Sequence, residues 1–370
     1  MRRTLTIVGS LLAAQAVGAF LFAWSGLYDI GAAAGHWPIT RWLLEFGMRN
    51  SIKTQSMFVD VPDLEDPALI QRGAGHYENG CAPCHGAPAA PRSPISRHML
   101  PVPPYLPARV ANWEPEELYW ITHNGIKYTG MPAWPAQQRD DEPWAVTAFL
   151  LHLGTMDAAE YRRLAFGEEA PAADKARLVE LAGPTEEALR TCAQCHGYDG
   201  AGRGTAAFPR LSGQSAVYLL ASLKAYGTGA RPSGIMRPHA AALTDAEMRM
   251  LAEYYASRTD APPLPRPDEA DPLLLRQGED LARSGDPKQG VASCMSCHGP
   301  GTIQDPRYPR LAGQYADYIA DQLRLWLRGA RGDTPLSRIM AAAVPALTDE
   351  QIRAVSLYYA SAEPPPMAGE

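Results

Sequence analysis

No cysteine in this 370-residue chain lies outside three five-residue motifs, and no surplus of basic charge runs through it. With all six cysteines so placed, neither a disulfide framework nor a stray thiol is expected. Thirty-four lysines and arginines against 40 aspartates and glutamates give a formal charge of −6. That balance argues against nucleic acid as a partner and favours partners with a basic docking face. Proline and glycine are not scarce, at 34 and 32, but the apolar share of 46% is ordinary, so they indicate loop-rich domains rather than disorder.

The cysteines build Cys81-Ala82-Pro83-Cys84-His85, Cys192-Ala193-Gln194-Cys195-His196 and Cys294-Met295-Ser296-Cys297-His298. Two thiols at this spacing can each add across one vinyl group of a haem, while the adjacent histidine turns under the porphyrin to bind iron. Structural zinc needs four ligands, which two such motifs could supply only by stranding the third. A redox Cys-x-x-Cys gives no reason for a histidine to follow it three times. Three covalently bound haem c groups are therefore expected, on Cys81, Cys84, Cys192, Cys195, Cys294 and Cys297, with His85, His196 and His298 as proximal iron ligands.

The sixth iron position decides whether a haem carries electrons or binds small molecules. Met131 stands in the run Thr129-Gly130-Met131-Pro132-Ala133-Trp134, 46 residues after His85; Met236 stands 40 after His196, and Met340 stands 42 after His298. Three methionines at similar spacing, each expected in a loop ahead of a closing helix, point to His/Met ligation, which raises the reduction potential. Competing ligands are His98, Met99 and His123 in the first unit and His239 in the second, whereas Met248 and Met250 read as packing. His36, His76 and His152 read as interface, helix-surface or packing residues. Pro209 and Pro309 could each offer a carbonyl to the far nitrogen of His196 and His298, and Arg210, Arg310 and Trp134 are candidates for propionate contacts.

The second and third motifs lie in a duplicated unit. Pro209-Arg210-Leu211-Ser212-Gly213-Gln214 returns as Pro309-Arg310-Leu311-Ala312-Gly313-Gln314, and Gly229-Ala230-Arg231 as Gly329-Ala330-Arg331, one hundred residues on. Leu243-Thr244-Asp245 and Tyr254-Tyr255-Ala256-Ser257 return after 104, so a small insertion follows Arg331. The closing helices carry N-capping threonines, Thr244 and Thr348, and are expected to pack across the helix leading into each motif. The expected plan is all-α: an anchor over residues 1–24, a juxtamembrane segment over 25–62, and three haem domains over 63–160, 172–260 and 270–362. Boundaries are expected near Ala170-Pro171 and in the proline-rich run from Ala261 to Pro267.

Met1-Arg2-Arg3 precedes an uncharged stretch from Thr4 to Trp24, close to the roughly 20 residues that cross a bilayer core. The arginines favour the cytoplasmic side, so the rest is expected in the periplasm with the anchor in the inner membrane. Cleavage after Ala14-Gln15-Ala16 is the alternative, although the apolar run continues beyond it. Tyr28, Trp37, Trp42, Arg41 and Arg49 then suit a membrane interface, an integral partner or a plain spacer.

At these residues the chain resembles the class I cytochrome c superfamily, and residues 175–361 resemble its dihaem c-four type, through the Pro-Arg-Leu-x-Gly-Gln segment, the methionine segment and the closing Tyr-Tyr-Ala-Ser. That resemblance implies two His/Met haem domains facing across a pseudo-two-fold, His196 with Met236 and His298 with Met340. Residues 65–155 resemble single-haem domains of the Gly-Met-Pro-x-Trp kind. The haem total is similar to that of the cytochrome subunits of membrane-bound dehydrogenases. The implied role is an electron relay, not an enzyme, between a dehydrogenase or quinol-oxidising complex and a terminal oxidase or soluble cytochrome. The alternative is a peroxidase-like enzyme with one open haem. A haem-based sensor would need a signalling domain, and none is expected in the short proline-rich stretch after residue 361.

Overall fold

The computed structural model describes residues 2–167, 184–258, 261–262, 271–299 and 305–363. The expected boundary at Ala170-Pro171 and residues 263–267 of the proline-rich run lie outside them. Among the described residues the chain is helical, with no β-strand.

Helix α1 (Arg2–Ser25) is apolar on every side and wholly exposed, with a mean hydropathy of 2.0 over its most apolar window. At ~1.5 Å per residue its 24 residues are long enough to span a bilayer core of about 30 Å. An aromatic elbow follows, in which Trp37 packs on Tyr28 and Phe22 at ring separations of 5.1 and 6.0 Å. Helix α2 (Pro38–Ser56) leaves Trp42, Leu43, Leu44 and Phe46 exposed, while Ile52 and Ser56 are buried and Arg49 lies 4.8 Å from the centre of the Trp113 ring. Its C-terminal half therefore docks on the first haem-motif unit, and its N-terminal half carries a bare apolar face.

That unit is built from α3 (Pro67–Gly80), α4 (Ala82–His85), α5 (Pro115–Asn124), α6 (Asp141–Leu153) and α7 (Ala158–Phe166). Asp66 caps α3, accepting from the Ala68 N–H at 2.9 Å, and Pro67 starts the helix where no N–H is needed. Helices α3 and α6 cross with no room between them: a Cβ at Gly73 would lie 1.9 Å from the Ala145 carbonyl oxygen. Tyr77 and Phe149 fill the core beside that crossing, and Tyr161 and Ala165 of α7 extend it past residue 160.

The second unit comprises α8 (Pro184–His196), α9 (Ala216–Thr228), α10 (Met236–Ala241) and α11 (Asp245–Ala256), around Leu189, Leu219, Leu251 and Tyr255. The third comprises α12 (Pro272–Ser284), α13 (Met295–His298), α14 (Ala316–Leu327), α15 (Pro335–Ala343) and α16 (Asp349–Ser361), around Leu281, Ile319, Leu323, Ile352 and Tyr359. Thr244 with Glu247 and Thr348 with Gln351 form capping boxes at α11 and α16, the two threonines expected from the sequence. Helix α16 crosses α12 as α6 crosses α3, with Gly278 facing the Ala354 carbonyl oxygen. In the second unit the closing helix α11 packs chiefly on α9. Met236 and Met340 differ from expectation: each lies on a short helix, α10 or α15, and only Met131 lies in a loop.

The duplicated glutamines explain their own repetition. Gln214 takes the Arg310 N–H at 3.0 Å and gives to its carbonyl at 2.6 Å; Gln314 does the same to Arg210, both at 2.9 Å. Each copy thus reads the backbone of the other, a reciprocal arrangement that only two facing repeats can make.

Candidate haem sites

Each motif is a single helical turn, because a thiol pair must share one face and positions i and i+3 do so. In the first, the Cys84 and His85 N–H groups both donate to the Cys81 carbonyl at 3.0 and 2.9 Å; in the third, Cys297 and His298 do so to Cys294 at 3.2 and 2.8 Å. The second motif is the last turn of α8. Gly86 and Gly197 then reverse the chain at φ near +75°, a region open to glycine.

The three histidines share one orientation. Nδ1 of His85, His196 and His298 lies 3.0, 3.2 and 2.9 Å from the carbonyl oxygens of Pro104, Pro209 and Pro309. A carbonyl can only accept, so Nδ1 carries the proton and Nε2 keeps the lone pair that binds a metal. Burial lowers the pKa of all three rings, His196 to about 4, which keeps them neutral as ligands must be. Burial pushes the Cys81 and Cys192 thiols up to about 12 and those of Cys195 and Cys294 to about 11. These are not the low-pKa thiolates of a redox or nucleophilic site. Tyrosine hydroxyls brace the turns: Tyr255 donates to the Gly197 carbonyl at 3.1 Å and Tyr254 to that of Tyr198 at 2.9 Å.

Met131, Met236 and Met340 are all half-buried. Met340 borders the same core as Cys294, and the Met131 N–H is held by Thr129 Oγ1 at 3.0 Å. Of the competing residues, His98 Nδ1 faces the Pro94 carbonyl at 2.8 Å and His123 Nε2 that of Gln137 at 3.0 Å. Met99 stays near, its methyl 2.0 Å from where a Cβ on Gly130 would be. His239 is half-buried, and burial lowers its pKa.

The expected propionate donors are engaged with protein groups. Arg210 donates to Ser212, Pro262 and Ala261, Arg310 to the Gly213 carbonyl at 2.8 Å, and Trp134 to Glu142 at 2.8 Å. Two further arginines meet where the second and third units adjoin. Arg231, 6% exposed, donates to Ser222 and Tyr318 and lies 4.4 Å from the centre of the Tyr226 ring; Arg331 donates to Gln322 at 2.5 Å. Neither pairs with a carboxylate among the described residues, and burial together with Arg231 lowers the pKa of Arg331. Arg231, buried, and Arg331, half-buried, share Gln322 Oε1 at the seam of the second and third units, and two guanidinium groups so close favour an anion beside them. The Gly-Ala-Arg repeat was their sequence signal. Pro104, the third proximal carbonyl, carried none, because it lies 19 residues after its histidine rather than 13 or 11.

Helical units that each present two thiols on one face and a neutral, backbone-oriented imidazole define a c-type cytochrome, an electron carrier with covalently held haem. The family model described as cytochrome c matches residues 186–258 and 288–363, and that described as cytochrome c oxidase, cbb3-type, subunit III matches residues 68–150. A thiosulfate dehydrogenase electron acceptor of Thiomonas intermedia is 36% identical over 182 residues, 49% of this chain and 81% of that protein. Its counterpart in Stutzerimonas stutzeri is 35% identical over 198 residues, 52% of this chain and 88% of that protein. Cytochrome c4 of Thiocapsa roseopersicina is 37% identical over 170 residues, 45% of this chain and 84% of that protein. The chain belongs to the class I cytochrome c superfamily and is cytochrome c4-like over about half its length.

Proposed function

We propose that this chain is a membrane-anchored relay of three haems facing the periplasm, with domains over 63–160, 172–260 and 270–362. His85 with Met131, His196 with Met236 and His298 with Met340 would bind the three irons, and each Cys-x-x-Cys would hold its haem by two thioethers. The observation that carries this reading is the threefold recurrence of one constellation, a helical Cys-x-x-Cys-His turn whose imidazole Nδ1 faces a proline carbonyl. The haem supplies one-electron iron chemistry; the protein fixes the imidazole tautomer, excludes water and closes the iron with a thioether. Arg231 and Arg331 are the groups suited to neutralise propionates where the second and third haems approach.

Electrons enter from a dehydrogenase or quinol-oxidising complex and leave to a terminal oxidase or soluble cytochrome. The relatives named as thiosulfate dehydrogenase electron acceptors make a thiosulfate-oxidising dehydrogenase the first donor to assay. Helix α1 supports retention in the inner membrane, and the bare apolar face of α2 supports contact with its surface. The test is replacement of each methionine by leucine. Each change should remove about a third of the far-red band of methionine-ligated ferric haem and open one ferrous haem to carbon monoxide. A variant that leaves both signals intact removes its methionine from the ligand set.

A further inference from the structure

The segment that carries Met236 is held by the first unit. Glu142, at the start of α6, is 3% exposed and takes hydrogen bonds from three sides: Trp134 Nε1 at 2.8 Å, Ser233 Oγ at 2.6 Å and the Gly234 N–H at 2.6 Å. Ser233 Oγ in turn accepts the N–H groups of Ile235 at 3.3 Å and Met236 at 3.0 Å. Arg139 lies 3.3 Å from Glu142 and donates to the Pro232 carbonyl at 2.8 Å, while its other side is fixed by Asp141. The Trp134 indole lies so close to Gly234 that a Cβ there would meet its nitrogen at 2.3 Å, and Ile235 packs into the first unit's core.

In the third unit the equivalent capping hydroxyl, Thr334, has its side-chain partner in the same helix, Ser337 Oγ at 2.8 Å. After Arg331 this unit carries the insertion, and there Thr334 caps α15, the helix of Met340, by accepting the Ser337 N–H at 3.1 Å. The second unit has no such insertion; Ser233 caps its Met236 turn locally, and Ser233 and the Gly234 N–H are in turn held by Glu142 of the first unit. The first unit also reaches the second motif through α3: a Cβ on Gly75 would lie 3.3 Å from Cys195 Sγ.

We infer that Glu142 is a positioning residue for the second haem, a carboxylate of the first unit that holds Met236 in place through Ser233, so that methionine ligation at the second haem depends on docking of the first unit. This rests on the assignment of Met236 as a ligand, and the experiment separates the two. The haem-loaded full chain would be compared as parent, Met236→Leu, Met340→Leu, Glu142→Ala, Glu142→Gln, Ser233→Ala and Thr334→Ala. Far-red absorbance, carbon monoxide binding to the reduced form and a spectroscopic redox titration are read for each. Met236→Leu should lose about a third of the far-red band. Glu142→Ala should lose a substantial part of that same third, bind carbon monoxide at one haem and lower one midpoint potential, with Ser233→Ala and Glu142→Gln intermediate. Thr334→Ala should instead move the haem that Met340→Leu moves. The inference is overturned if Met236→Leu loses its third while the Glu142 and Ser233 variants match the parent in all three readouts. If Met236→Leu itself leaves the band intact, the ligand assignment fails and the inference falls with it.

Discussion

Alanine at Gly73 tests how the first haem unit is closed. Gly73 lies mid-way along α3 against the backbone of α6, where a Cβ would come 1.9 Å from the Ala145 carbonyl oxygen and 2.7 Å from the Phe149 Cβ. Neither atom can rotate away, and Phe149 is wholly buried, so the two helices would have to part by roughly an ångström in a close-packed core. Alanine's better helix propensity opposes this with about 1 kcal/mol. Overpacking costs about 1–3 kcal/mol where side chains can adjust and more where backbone must move. The clash wins, and a net loss of about 1–3 kcal/mol is expected; at a urea dependence of about 1–3 kcal/mol per molar, the midpoint falls by about 1 M. The assay is urea unfolding of the haem-loaded full chain followed by far-ultraviolet circular dichroism. Gly80→Ala is the control, in the same helix with nothing within 4 Å of its new methyl, and it should be neutral or stabilising. Gly278→Ala, 2.1 Å from the Ala354 oxygen, should repeat the loss in the third unit. An unchanged or raised midpoint for Gly73→Ala would refute the close crossing.

Three further outcomes follow from the same geometry. Gln214→Ala removes both of its hydrogen bonds to the Arg310 backbone at a buried seam and should cost about 1–3 kcal/mol in the same urea assay, with Gln314→Ala matching it; no loss in either would contradict the reciprocal clasp. His76 is buried, with no hydrogen-bond partner for either ring nitrogen among the described residues, and burial, then Arg72, pushes its pKa from 6.5 to about 3. The unfolded chain therefore takes up a proton below pH 6.5 that the folded chain refuses, so stability is lost as pH falls from 6.5 towards 3, by up to about 5 kcal/mol. His76→Leu should flatten that slope and cost nothing at pH 7; an unchanged slope would show the ring to be solvated or partnered. Deleting residues 2–25, with a cleavable secretion signal supplied instead, should release the haem protein from membranes on fractionation, whereas persistent sedimentation would assign the attachment to α2 or to a partner.

What the sequence made legible was local. A motif of five residues and a threonine cap three residues from its glutamate or glutamine both act over one or two helical turns, and both form helical turns as expected. The proximal carbonyls of Pro209 and Pro309 were legible for the same reason. The three methionines were singled out by spacing, and the setting of two of them differs from that reading: Met236 and Met340 lie on short helices rather than in loops. Arg210, Arg310 and Trp134 were named as candidates for propionate contacts, and their bonds to backbone groups, to Ser212 and to Glu142 could not be read from the sequence. Glu142 itself reads as an ordinary acidic residue in the first turn of a helix. Its burial depends on a partner turn about 90 residues away, and no pattern in either segment announces that pairing.

The most direct test of the account is a haem count coupled to a ligand challenge on the purified full chain. Pyridine haemochrome quantification should return three haems per chain, the ferric protein should show the far-red methionine band, and the reduced protein should not shift under carbon monoxide. Fewer than three haems would contradict the threefold site, and a haem that binds carbon monoxide readily would show an open iron and make the peroxidase-like reading the better one.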